Sequence, residues 1–541
     1  MQLIRLVKSG PDKALSSLIV VTIVSGLSSA FLVALINHAA ELIAFGEPTS
    51  LRLVLLYAVL FLIFVNATSI AWRKSNRLLQ SRLSALRLRI AGTVRQAPLR
   101  GLEQLEHSEL LVTLNRETNS LSANMPLLTG AVQSAGLLLG ALLYIASLSF
   151  VAFVIFVTAA LIGGWAFWRR RLIMNAAMVE VFQSEADVVR GMVGFTKGFK
   201  EIRLNAARNI ALFDQFKSFA DTQQSNVTSV ASTWITLIQF SSAFIYAMLG
   251  ALIFIVPAYY DGYTDIVYKI VAVSAFCLGP LASITSVSHL FANAEVGLTR
   301  IAEIEEKLNA LKEPAHAYYD PERFRGLKRI EARDITFEYR NANGDLQFTS
   351  GPWDLTVNAS EILFVTGGNG SGKSTAMKVL CGLYPKSGGE IKVDGERITN
   401  RTQSSYSEIF AAIFSDFHLF DQMFGLDDID PDTVTHWLKR MQLDDKVTYR
   451  NGRFSTLDLS TGQRKRLAMI TALLEDRDVY IFDEWAADQD SHFRDVIYKE
   501  LLPDLKAKGK AIIVVSHDDR YWHLCDRRVH FDMGRIQAQQ A

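Results

Sequence analysis

Cysteine is scarce: Cys277, Cys381 and Cys525 are the only three in 541 residues, far apart and in no CxxC or Cys/His spacing. That excludes a disulfide framework and a zinc-ligand cluster, and it suits small buried thiols in a reducing compartment. Charge of one sign is also missing. The 56 Lys and Arg against 55 Asp and Glu leave a formal net charge of +1, which offers no electrostatic footprint for a nucleic-acid partner. The third absence is local. Up to about residue 295 the chain is built from long apolar runs that hold almost no ionisable group, with Lys269 at one edge and His289 near an end. Charges inside such runs mark proton relays and ion paths, so their lack argues against proton-coupled transport and puts the energy source elsewhere in the chain.

Six runs lie near residues 14–37, 51–71, 124–147, 149–168, 228–256 and 267–291, and each is long enough for a bilayer core, which takes about 20 apolar residues. Arg5, Lys8 and Lys13 precede the first. It is nevertheless too long for a signal-peptide core and lacks a small-x-small cleavage site, so it is expected to be a retained helix. Loops 38–50 and 257–266 contain Glu41, Glu47, Asp261 and Asp265 but no Lys or Arg, whereas segments 72–123 and 169–227 are rich in both. The positive-inside rule then places both long segments and both termini in the cytoplasm. Helical apolar spacing continues through each long segment, which predicts pairs of helices extending the spans. Chain reversals with short elements are expected near 98–111 and 205–216. Within the spans Asn66, Gln133, Gln239, Ser241 and Ser242 either line a cavity or hydrogen-bond between helices, the latter being the commoner use. Pro126 and Pro280 are expected to bend their helices. Residues 296–327 form a charged helix and then a Pro-containing linker, giving domains over 1–310 and 328–541 joined by 311–327.

From Lys328 short strands alternate with helices, an α/β pattern with a largely parallel core sheet. The apolar strand Ile362–Val365 runs into Gly-Gly-Asn-Gly-Ser-Gly-Lys-Ser-Thr over residues 367–375, followed by a helix-forming stretch. Strand, glycine-rich loop and helix are the context of a phosphate-binding P-loop. Gly367, Gly370 and Gly372 let backbone N–H groups converge on a phosphate, and Asn369 and Thr375 belong to the same nucleotide-binding loop. Lys373 is expected to reach the β- and γ-phosphates and Ser374 to ligate Mg²⁺. A second strand, Val479–Phe482, ends in Asp483 and Glu484. Asp483 is expected in the Mg²⁺ shell, and Glu484 to polarise the attacking water as general base. A third strand, Ala511–Val515, ends in Ser516-His517, which places His517 near the γ-phosphate.

The stretch Leu459-Ser460-Thr461-Gly462-Gln463, about twenty residues before the Asp-Glu strand, resembles the LSGGQ signature of ATP-binding-cassette (ABC) proteins. With the P-loop ahead of it and six spans before that, the whole chain resembles an ABC exporter half-transporter. The resemblance implies that Ser460, Gly462 and Gln463 close over the nucleotide of a second domain, that Tyr339 stacks on adenine, and that Asp490 lies in the loop linking two ATP sites. It also makes the elements at 98–111 and 205–216 coupling helices. Three departures stand out. Ser415 occupies the place of the family's Gln, with Asp416 beside it as a possible contributor to the metal site. Arg450-Asn451-Gly452-Arg453 replaces an acidic segment before the signature. The stretch between is short, implying a trimmed helical subdomain. The segments Phe482–Asp490, Ser415–Asp421 and Gly198–Asn205 resemble the cyclic-peptide, lipopeptide and siderophore exporters within the family.

The expected fold is therefore an α-helical six-span membrane domain with long cytoplasmic extensions, fused to an α/β P-loop domain. The expected activity is ATP-driven export of an amphipathic, peptide-like small molecule or siderophore precursor to the periplasm. One P-loop and one signature cannot close a site within a monomer, so two copies are needed, and the resemblance implies a homodimer in a bacterial inner membrane using ATP and Mg²⁺. A lipid flippase, an importer sharing the exporter fold, and an ATP-gated channel or regulatory subunit are the alternatives.

Overall fold

A computed structural model describes Arg5 and residues 12–44, 46–103, 107–255, 264–310, 320–340, 345–426 and 428–537. The chain divides into two compact units. The first comprises residues 1–92 and 107–307; the second comprises 93–106 and 308–541. Residues 311–319 of the expected linker and 257–263 of the second acidic loop lie outside the described residues.

The first unit is helical. Its long helices are α1 (Asp12–Ala44), α2 (Leu51–Gln96), α4 (His107–Leu148), α5 (Phe150–Lys197), α7 (Ala206–Gly250) and α8 (Thr264–Ala310). Short helix α6 (Phe199–Leu204) stands at the second reversal, and α3 (Leu99–Glu103), which belongs to the second unit, stands at the first. Among the described residues five segments are long and apolar enough to cross a membrane; the remaining apolar run, Phe150–Trp165 in α5, is shorter. Large apolar side chains such as Val54, Leu55, Phe61 and Leu62 of α2 point outward. Helices satisfy their own backbone polar groups, so an apolar exterior is what lipid requires.

Two details differ from the sequence expectation. The second reversal falls at 199–204, ahead of 205–216, because Asn205 caps α7 by accepting from the Arg208 amide (3.0 Å) and residues 206–216 are already its first turns. Residues 104–106 of the first tip lie outside the described residues. Glu41, expected in a loop, lies within α1 and pairs with Lys269 of α8. Among the polar span residues, Gln133 donates to the Thr68 hydroxyl across helices (3.2 Å), while Asn66 returns to Leu62 O of its own helix (2.8 Å).

Helices α1 and α4 meet through small residues four apart on each. A Cβ on Gly26 would lie 2.8 Å from the Gly136 Cα, and one on Gly140 would lie 2.4 Å from the Ala30 Cβ. Such close approach gains van der Waals contact where no hydrophobic force draws helices together. Gly26→Leu is expected to destabilise this pair by about 1–3 kcal/mol through overpacking, read as a lower melting temperature of the solubilised protein. Gly92→Leu, where nothing lies within 4 Å of the added carbon, should leave melting unchanged.

The second unit carries two sheets. Strands β1 (Arg329–Arg340), β2 (Leu346–Asn358), β4 (Gly388–Val393) and β5 (Glu396–Arg397) form an antiparallel sheet in the order β2-β1-β4-β5. Strands β3 (Ile362–Gly367), β6 (Phe410–Ile413), β9 (Val479–Asp483), β10 (Ala511–Val515), β11 (Arg527–Asp532) and β12 (Arg535–Gln537) form the other, ordered β12-β11-β3-β10-β9-β6. All its pairings are parallel except β11 with β12. Strands β3, β9 and β10 are buried along their whole length, as a sheet covered on both faces demands. Leu363, Val365, Ile481 and Ile513 face the antiparallel sheet's core, and Ile362, Phe364, Phe482 and Val514 face a helical layer. In register, Val365 pairs with Val515 and Val515 with Asp483, so three strand ends open on one edge. Ligands of parallel α/β sheets bind at that edge.

Among the helices of this unit, four bear on the site: α9 (Lys373–Leu380), α10 (Pro431–Arg440), α11 (Thr461–Leu474) and α12 (Ser491–Val496). Strands β7 (Tyr449–Arg450) and β8 (Arg453–Phe454) flank the Asn451-Gly452 pair, with φ of 51° and 76°, a two-residue hairpin turn of the kind that Asn-Gly favours. The basic replacement segment is thus a hairpin.

Candidate nucleotide site

The loop after β3 turns on glycines at positive φ: Gly367 at 144°, Gly370 at 76° and Gly372 at 94°. At Gly367 there is also no room, since a Cβ would stand 2.2 Å from the Phe531 carbonyl oxygen. Gly372 caps α9, directing the helix N-terminus and its free amides toward the loop. Lys373 is buried and donates to the carbonyls of Gly367 (3.0 Å) and Gly368 (2.9 Å). Burial pushes its ammonium below the ordinary lysine range, while Glu484 and Asp483 pull it back. A recess of about 400 Å³ is lined by Phe348, residues 369–375 and Glu484. Asn369, Gly370, Gly372, Lys373, Ser374 and Thr375 are therefore together in one cradle.

Asp483 ends β9 with both carboxylate oxygens buried and without a hydrogen-bond partner. Burial raises its carboxyl above the usual range, and the nearby Ser374 hydroxyl and Lys373 offset part of the rise. Two unpartnered buried anionic oxygens beside a hydroxyl are a donor set for a hard cation with oxygen ligands, and they fit Mg²⁺. Glu484 adopts the left-handed conformation at φ 51°, which costs a residue with a side chain about 1–3 kcal/mol unless its surroundings enforce it. Its amide donates to Val515 O (3.0 Å), and its carboxylate lies 3.1 Å from the His517 Nε2. Hydrogen bonding across from β10 thus brings the two catalytic candidates into contact.

The signature lies elsewhere on the same unit. Ser460 caps α11 in a reciprocal box with Gln463, whose side chain accepts from the Ser460 amide (3.1 Å). The Gln489 side chain donates to Gly462 O (3.0 Å), and a Cβ on Gly462 would meet Asp488 O at 2.8 Å. Asp490 caps α12 through the Phe493 amide (2.8 Å) and pairs with Arg466 at 2.9 Å. The Phe493 amide first, and Arg466 after burial's opposing effect, hold its carboxyl below the usual range. Among the described residues lining the recess, none comes from 459–463.

Three expected contributors stand apart from the recess. Ser415 is exposed and outside its lining. Asp416 pairs with Lys378 of α9 at 3.5 Å and is not among the residues lining the recess. Tyr339 lies on β1 with the Arg100 guanidinium 5.3 Å from its ring centre. Arg100 belongs to α3, which is part of this second unit, and it donates to the carbonyls of Glu338 and Arg340, both at 2.9 Å. The sequence reading missed Phe348, which pairs with Tyr339 across β1 and β2 and lines the recess. Only the strand register could have revealed it.

The family described as ABC transporter matches residues 351–487. The chain is 31% identical over 534 residues to the ATP-binding protein SyrD of Pseudomonas syringae pv. syringae, covering 95% of this chain and 92% of that protein. The probable syringafactin export ATP-binding/permease protein SyfD of P. syringae pv. syringae strain B728a is 29% identical over 199 residues, 35% of this chain and 30% of that protein. In fold, a bacterial Atm1-family ABC exporter with ATP bound superposes with a TM-score of 0.78 at 16% identity, covering 98% of this chain and 95% of that one.

Proposed function

Because the chain belongs to the ABC exporter family, a multi-pass membrane protein whose cassette binds and hydrolyses ATP to drive transport, we propose that it exports an amphipathic, peptide-like small molecule. The cargo class is a cyclic peptide, a lipopeptide or a siderophore precursor, moved from cytoplasm to periplasm. It acts as a homodimer in a bacterial inner membrane, with both termini cytoplasmic.

One observation carries the dimer. The recess holds the P-loop, Lys373 and Glu484 but no residue of the signature among those described, so a second copy supplies Ser460, Gly462 and Gln463 to complete it. In that arrangement the P-loop amides and Lys373 hold the phosphates, and Tyr339 stacks on the base. Ser374 and Asp483 would hold Mg²⁺, which supplies charge neutralisation on the phosphate oxygens when bound. Glu484 orients and polarises the attacking water, and His517, bonded to it, keeps that carboxylate in place and contacts the γ-phosphate. Asp490 lies on the face turned to the partner's site. The peptide-like cargo is supported by the SyfD relative, a probable syringafactin export protein, and by spans that carry little charge.

Inside-out vesicles test the assignment. ATP-dependent accumulation of a cyclic peptide, lipopeptide or siderophore precursor is expected in wild type and absent in Glu484→Gln. Hydrolysis without accumulation of any of them, but with movement of a labelled phospholipid, would replace peptide export with lipid translocation.

A further inference from the structure

A buried lysine on the signature helix holds the backbone of the proposed general base. Lys465 lies in the second turn of α11, its side chain 7% exposed, and its ammonium donates to the Glu484 carbonyl (3.1 Å) while pairing with Asp488 (2.7 Å). Its own carbonyl accepts the indole N–H of Trp485 (2.7 Å). One residue thus grips the Glu484-Trp485 pair from both sides, and Trp485 is itself buried.

The grip falls where the backbone needs it. Glu484 is left-handed at φ 51°, a conformation that persists only when neighbours over-determine it. The Val515 carbonyl fixes the amide side of Glu484; Lys465 fixes the carbonyl side. The rest of the segment is anchored separately. Arg466 binds the Gln489 side chain (2.9 Å) and Asp490 (2.9 Å), and Arg494 Nε donates to Gln489 O (2.9 Å). Loss of the Lys465 ammonium therefore releases Glu484 while residues 489–490 remain held.

We propose that Lys465 is a positioning residue for hydrolysis. It acts through the Glu484 carbonyl to aim that side chain at the nucleotide recess, and it ties the Glu484 backbone to the helix whose first turn carries the signature. The proposal rests on Glu484 being the general base. The neutral acceptor is what matters, so the ammonium's hydrogen bond is the working contact and its ion pair with exposed Asp488 is secondary.

The test is steady-state ATPase of the full-length protein in lipid nanodiscs. Lys465→Met is expected to lower kcat by about 10²-fold, the effect of displacing a catalytic group by roughly 1 Å, with KM for ATP unchanged. Lys465→Gln, which can still donate to the Glu484 carbonyl, should recover most of the wild-type kcat, and Asp488→Asn should match wild type. Equal losses in Lys465→Met and Lys465→Gln, a loss in Asp488→Asn as deep as in Lys465→Met, or a raised KM at unchanged kcat would each overturn the proposal. If Lys465→Met yields no folded protein, a Lys465→Gln enzyme as inactive as Glu484→Gln still overturns it. Glu484→Gln separates the premises: full activity there removes the base assignment, whereas its inactivity beside an active Lys465→Met removes only the role of Lys465.

Discussion

Glu484→Gln is expected to bind ATP as wild type does and to hydrolyse it roughly 10²- to 10⁴-fold more slowly, the contribution of a positioned general base. The substitution is nearly isosteric, and the amide oxygen can keep the 3.1 Å contact that His517 Nε2 now makes to the carboxylate. The backbone contacts to Val515 and Lys465 do not involve the side chain, so the left-handed turn should survive. What is lost is the ability to accept a proton from water. If the recess is completed by a second copy, a variant that binds but does not hydrolyse should accumulate as an ATP-closed dimer. Single-turnover hydrolysis, beside retention of labelled ATP by the variant through gel filtration, reads both effects. A Glu484→Gln protein that turns over at the wild-type rate would transfer the base role elsewhere.

The parts of this protein visible in its sequence are those written locally. Strand β3, the glycine loop and α9 are contiguous, so one stretch of chain held the whole cradle and its order of residues was sufficient. The apolar runs were equally local, although the run at Phe150–Trp165 merges into a 48-residue helix and its end cannot be read from hydropathy alone. The reversal at 199–204 was displaced because apolar spacing continues on both sides. The deciding signals were single residues, Gly198 ending one helix and Asn205 capping the next. Contacts between distant segments were not visible. Phe348 reaches the recess through a register shared with Tyr339. Asp416 is turned to Lys378 by packing that no motif encodes. In Arg464-Lys465-Arg466 the sequence shows three cations at a helix start, yet Lys465 is buried against Glu484, against the usual exposure of lysine.

Asp483→Asn is expected to separate stability from activity: a higher melting temperature without nucleotide, and Mg²⁺-dependent ATPase reduced by at least about 10²-fold, since metal stabilisation of the transferred phosphoryl group is worth several kcal/mol. The carboxylate is buried with neither oxygen partnered, and burial raises its pKa above the ordinary value. The native chain then holds this proton more tightly than the unfolded chain does. Stability associated with the protonated form is present below the ordinary carboxyl range and is lost as pH rises through the raised folded value. At neutral pH the ionised group bears a desolvation cost that Ser374 and Lys373 offset only in part. An amide of the same shape removes that charge and leaves an unpaired N–H₂, which costs about 1–3 kcal/mol against several kcal/mol for an uncompensated buried ion. The stability difference should therefore favour the variant at pH 8 and shrink as wild type protonates toward pH 4. Adding ATP with Mg²⁺ reverses the comparison, because a ligand that binds only the folded state stabilises it. Wild type should gain most from the metal, lose that gain with EDTA, and overtake the variant. A variant that melts below wild type at pH 8 without nucleotide would show that Asp483 is already compensated. One that keeps the Mg²⁺-dependent gain would place the metal on other ligands.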